Sequence, residues 1–121
     1  MPEEYLKLVE AIKNLTQEEN GEIIQLPMAE DDWYTRPDAV SYGTISLDFE
    51  ADALRGDDNK QVTAYEGSVD LFSLTRSGAG WIPLITQTLT AHCDGCWYLN
   101  AHMYERETGL FHWEWAFQVE G

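Results

Sequence analysis

Apolar residues recur at two different periods in this chain. In the opening segment Tyr5, Leu8, Val9, Ile12 and Leu15 fall at three- and four-residue steps, which places them on one face of a helix. Pro2 near its start and Asn20-Gly21 beyond its end suit helix boundaries, so a helix of about four turns is predicted. From Glu22 to Asp38 the period is lost: Pro27, the acidic run Glu30-Asp31-Asp32 and Pro37 mark an irregular connector. The stretch "TISLDFEA" then alternates Ile45, Leu47 and Phe49 with polar neighbours, as a strand does with one face covered and one wet. Polar "DALRGDDNKQ", with the turn signal Gly56-Asp57-Asp58-Asn59, reads as an acidic hairpin tip. "GSVDLFSLT" resumes the alternation through Val69 and Leu71, and Phe72 and Leu74 add apolar groups on the other face, so this strand is expected to be covered on both sides.

"RSGAG" interrupts the chain, after which Ile82, Ile85 and Leu89 return to helical spacing, with Pro83 in the first turn where its missing N–H costs little. "CWYLNAHMY" alternates Trp97, Leu99, Ala101 and Met103 against Tyr98, Asn100, His102 and Tyr104. "GLFHWEWAFQV" places Phe111, Trp113, Trp115, Phe117 and Val119 on every second residue. With "ERETG" as the hairpin loop, the two strands pair so that Trp97, Leu99, Ala101 and Met103 share a face with the second aromatic row. Burying four such rings contributes on the order of 15–25 kcal/mol before entropy is subtracted, so they cannot all stay wet. The plain expectation is a core beneath the helices. The functional one is that Trp113 or Trp115 emerges at an edge and packs on a neighbouring subunit, because aromatics are enriched at interface centres. The order helix, strand, strand, helix, strand, strand predicts an α+β fold, a mainly antiparallel four-stranded sheet with two helices packed on it, in one domain over 1–121.

Composition narrows the function classes. The chain is 44% hydrophobic and 12% aromatic, too rich in core-forming residues for a disordered polymer. Lys and Arg number 7 against 22 Asp and Glu, a formal net charge of -15, which argues against specific nucleic-acid binding. The charged, periodic amino end lacks the features of a secretory signal, and no apolar run is long enough to span a bilayer, so an intracellular protein is expected.

Candidate chemistry is sparse. Cys93 and Cys96, with His92, supply two or three possible zinc ligands where a structural site needs four, and their spacing fits no secreted disulfide framework. His102 and His112 are expected on the face opposite the aromatics, away from Cys93. A redox dithiol wants its motif at a helix start, whereas "CDGC" follows a helix, with Asp94-Gly95 reading as a helix stop and turn. "GAGWIP" departs from a phosphate-binding glycine motif because Pro83 holds the place of the third glycine and no lysine follows. Acidic groups such as Asp57-Asp58 arise readily among 22 carboxylates, and neither a nucleophile elbow nor a zinc helix is present. No enzyme activity and no cofactor are expected.

The combination "VDLFSLTRSGAGWIPLITQTL" followed by "YERETGLFHWEWAFQV" resembles the tail-completion or tail-terminator proteins of long-tailed bacteriophages and prophages. Val69, Asp70, Leu71 and Phe72, then Tyr104, Glu105, Thr108, Gly109, Leu110, Phe111 and His112, carry the likeness, which covers the last 60 or so residues closely and the rest by layout. The resemblance implies a homo-oligomeric ring, commonly a hexamer, at the head-proximal end of the tail. Its partners would be the tail-tube and head-connector proteins, its places the host cytoplasm during assembly and then the virion tail, with DNA passing through the ring unbound. Asp57, Asp58, Glu105 and Arg106 at the two hairpin tips, together with Trp113 and Trp115, are then the candidate contacts with sister subunits or partners. The tryptophan-rich last strand and the C-x-x-C depart from the family pattern. The alternative is a small intracellular metal- or ligand-binding module built on Cys93 and Cys96.

Overall fold

A computed structural model describes residues 3–33, 35–51 and 64–120. The hairpin tip expected at Asp57 and Asp58 lies outside the described residues.

The first helix, α1, runs Glu3–Lys13, one turn shorter than expected. Tyr5, Leu8, Val9 and Ile12 form its buried stripe, and Glu3, Glu4 and Lys13 lie at the ends where the helix dipole favours their charges. Asn14 stops the helix by turning its side-chain amide back to the carbonyl of Glu10, at 2.8 Å. Leu15, half-buried, lies beyond the last turn.

The connector expected to be irregular from Glu22 to Asp38 is strand at Glu22–Gln25 and Met28–Glu30, and Asn20-Gly21, expected to follow a helix end, turns a hairpin instead. Thr16–Glu19 (β1) and Glu22–Gln25 (β2) form an antiparallel hairpin. Asn20 and Gly21, both at positive φ (53° and 83°), make the two-residue turn that matches strand twist. The hairpin was hidden because nearly all of its side chains are exposed, so it carries no apolar alternation. Met28–Glu30 (β3) then pairs parallel to Gly43–Ile45.

Ser41–Ala51 (β4) and Ala64–Ser73 (β5) form the antiparallel pair expected, with β4 starting earlier than its alternation suggested. The chain then passes through a 3-10 turn at Gly78–Gly80 into α2, Trp81–His92, with Pro83 in its first turn. Trp81, Ile85 and Leu89 are its buried stripe. Asp94 and Gly95, both at positive φ, end it as expected. Trp97–Glu105 (β6) and Leu110–Glu120 (β7) complete the fold.

The sheet has five strands, not four, in the order β3-β4-β5-β7-β6, all antiparallel except β3 with β4. Both helices cover one face. Their buried residues meet Ile45 of β4, Val69 and Leu71 of β5, and Trp113, Trp115, Phe117 and Val119 of β7 in one apolar cluster. The Tyr5 ring stacks on Phe117 at 6.3 Å. β7, though last in sequence, lies inside the sheet, and β6 forms the edge beside it.

The register between those strands overturns one expectation. Trp97 and Leu99 lie opposite Phe117 and Trp115, but the ladder slips by one residue at Asn100. Beyond this bulge Ala101 pairs with Glu114 and Met103 with His112, on the outer face, while His102 and Tyr104 face Trp113 and Phe111. Strict alternation had put Ala101 and Met103 with the aromatics and His102 away from them. One inserted residue exchanges the faces. His102 stacks on Trp113 at 4.7 Å and 13°.

Candidate functional site: the open face and free edge of the sheet

On the face away from the helices, alternation brings Tyr42, Thr44 and Ser46 of β4 beside Ser68, Asp70 and Phe72 of β5, then His112 and Glu114 of β7. Tyr42 lies opposite Phe72 and Phe72 opposite His112, forming one rung across three strands. The rings stack along it: Tyr42 on Phe72 at 5.2 Å, Phe72 on His112 at 4.2 Å. Trp33, from the connector between β3 and β4, closes the row edge-on against Tyr42 at 6.4 Å. Its indole N–H donates to the Gly43 carbonyl at 3.0 Å, which fixes the connector on the sheet.

His112 sits between two carboxylates. Its Nε2 lies 2.7 Å from Asp70 Oδ1 and its Nδ1 2.9 Å from Glu105 Oε2. Since a carboxylate only accepts, satisfying both contacts requires a proton on both ring nitrogens, that is, the imidazolium form. Burial works to lower the His112 pKa, but hydrogen bonds and charge from Asp70 and Glu105 outweigh it and raise the value above 6.5. The Thr108 hydroxyl donates to the other Glu105 oxygen at 3.2 Å, and Gly109, at φ 73°, lets its N–H return to the Glu105 carbonyl at 2.8 Å. Asp70, Phe72, Glu105, Thr108, Gly109 and His112, found in two separated stretches of sequence, thus form one structural corner joining β5, β7 and the last hairpin. Both nitrogens of His112 are taken by acids, so neither is free to activate a nucleophile.

The edge strand β6 is the second feature. Tyr98, Leu99, Met103 and Tyr104 are between 46% and 60% exposed, and they lie on both faces of the strand. Over nine residues β6 carries one carboxylate, Glu105, no lysine and no proline. Its outer backbone edge has no neighbouring strand among the described residues. Natural edges are ordinarily blunted by charge, proline or a cover. The bulge at Asn100, whose side-chain amide donates to Glu114 at 2.9 Å, is the one such device here.

The residues singled out from sequence are distributed unevenly. Trp113 and Trp115 are 4% and 2% exposed beneath the helices, not at an edge, because the sheet order places β7 inside. The exposed tyrosines of the neighbouring strand are Tyr98, opposite Ala116, and Tyr104, opposite Phe111. Glu105 is held by His112 and Thr108, while Arg106 is exposed at the hairpin tip. Cys93 is buried at the end of α2, where loss of hydration, and secondarily Cys96, push its thiol up to about 12. Cys96 is exposed. Among the described residues no group of three or more His, Cys, Asp or Glu is arranged to hold a metal ion, and His92, Cys93 and Cys96 form no such group. Sequence reasoning passed over Trp33 and Tyr42, since a connector and a half-covered strand offer no motif. The bare edge did leave a trace, namely the run Trp97–Tyr104 with no Asp, Glu, Lys or Arg in a chain otherwise dense with them. No protein-family model matches the chain, and no curated protein matches it.

Proposed function

We propose that this chain is a self-associating structural subunit without catalytic activity, which joins its neighbours through the free edge of β6. The supporting observation is that edge: a nine-residue strand whose outer side has no neighbouring strand among the described residues, with four large exposed apolar side chains and a single charge. A chain of net charge -15 repels its copies over most of its surface, so lasting contact requires an uncharged patch, and β6 supplies one. Strand addition there satisfies open backbone groups and buries Tyr98, Leu99, Met103 and Tyr104 in the same step.

The finer reading is a tail-completion or tail-terminator protein of a phage or prophage, assembled as a ring at the head-proximal end of the tail. It rests on the resemblance of Val69–Phe72 and Tyr104–His112, and gains support from the meeting of those stretches in one corner that stiffens the end of β6. A wall subunit needs such a corner so that its edge arrives at the neighbour in a fixed shape.

Sedimentation across a concentration series, alone and with tail-tube protein, tests the proposal. The native chain is expected to associate, and the double substitution Leu99→Lys, Met103→Lys to abolish association with an unchanged circular dichroism spectrum. A native chain that stays monomeric in both settings, or a double variant that associates as before, rejects it.

A further inference from the structure

Next to the aromatic row, the open face carries a cavity of about 420 Å³, inside the size range of small-ligand pockets. Its walls are the rings of Trp33, Tyr42 and Phe72, with the carboxylates of Asp31, Asp32 and Asp70 around them. Aromatic faces and acids attract the same kind of group. A ring presents its negative quadrupole to a cation, and partial exclusion of water strengthens both interactions. The chain already places such a group there: the Arg36 guanidinium carbon lies 6.0 Å from the centre of the Tyr42 ring. Arg36 is itself exposed and makes no ion pair with a described residue. Asp31 and Asp32 therefore line the same cavity as one guanidinium, Asp70 being held by the His112 imidazolium at 2.7 Å. The imidazolium of His112, farther along the row, is matched by its own two acids.

We infer that this cavity is a recognition site for an arginine side chain of a partner polypeptide, with Arg36 as an internal occupant that the partner's arginine displaces. A flat guanidinium fits better than an ammonium, since it can stack on the Tyr42 and Phe72 rings while its N–H groups reach the flanking carboxylates. The site lies on the open face, apart from the outer edge of β6, so a subunit paired through β6 still offers it.

The test uses the intact chain and the peptide acetyl-Gly-Arg-Gly-amide, with the citrulline peptide as its neutral isostere. Binding is read from ¹H–¹⁵N spectra through the Trp33 indole N–H and the amides of Tyr42 and Phe72. Saturable shifts centred on these residues are expected, with roughly tenfold weaker binding of the citrulline peptide. Arg36→Ala removes the competitor and is expected to tighten binding several-fold, while Asp32→Asn weakens it. Dispersed spectra for both variants show that each remains folded. Equal binding of the two peptides, shifts spread over the whole acidic surface, or no gain in affinity with Arg36→Ala overturns the inference. Because β6 is intact in every arm, failure here leaves the association experiment untouched, and the reverse also holds.

Discussion

β6 and β7 are hydrogen-bonded neighbours, both rich in aromatics, and they occupy opposite physical situations. β7 is paired on both sides and has Trp113, Trp115, Phe117 and Val119 under the helices, so its alternation cannot slip without moving the core. β6 is paired on one side, keeps four large apolar side chains in contact with water, and absorbs an extra residue at Asn100. Aromatic content alone does not separate core from contact surface. Position in the sheet does, because an interior strand is held by two ladders and an edge strand by one.

The largest contrast should come from single-residue deletions. Removing Glu114 shifts one half of β7 against both β5 and β6 and turns buried tryptophans outward, so loss of cooperative folding is expected in a urea titration. Removing Asn100 only eliminates the bulge: Leu99 stays opposite Trp115 and Ala101 opposite Glu114, and the cost should stay near 1 kcal/mol, the hydrogen bond to Glu114. Equal damage from both deletions contradicts the account of β6 as the tolerant edge.

Next in size is Trp115→Ala, which empties a fully buried site and should cost about 3–5 kcal/mol in the same titration. A loss below 1 kcal/mol would mean that the ring does not fill the core.

His112→Ala strips the imidazolium from between Asp70 and Glu105, with an expected loss of roughly 1.5–3 kcal/mol at pH 6. The folded pKa of His112 is raised, so its contribution is complete below the unfolded value near 6.5 and disappears as pH rises through the folded value. The gap between native and variant should therefore narrow above that point, leaving the part due to stacking on Phe72. A gap that widens with pH would show that His112 is neutral in the folded chain.

The smallest effect belongs to Tyr98→Ala, within about 0.5 kcal/mol of native stability when measured at concentrations too low for association. At high concentration the same substitution should weaken self-association in sedimentation, and this split between stability and assembly is what distinguishes β6 from β7.

Much of the fold was legible. The stripe Tyr5-Leu8-Val9-Ile12 and the stripe around Ile85 and Leu89 show helices, and Ile45, Val69-Leu71 and Phe111–Val119 show strands, because each buries one face and leaves a periodic trace. Thr16–Gln25 and Met28–Glu30 left none, their strands being exposed or only three residues long. Of the candidate site, Asp70, Glu105 and His112 stood out only as parts of two separate stretches. Their joining depends on Phe72 falling opposite His112, a register set by the whole of β5 and β7.

Local periodicity was therefore enough to identify the helices, the longer strands and which aromatics must leave water, since burial imposes its period on neighbouring residues. The insertion of β7 between β5 and β6, the bulge at Asn100, the parallel addition of β3 and the cavity beneath Trp33 were settled only by packing. Each brings together residues far apart in the chain, and the energies that choose among such pairings are shared over whole faces of the sheet, not written into any one segment.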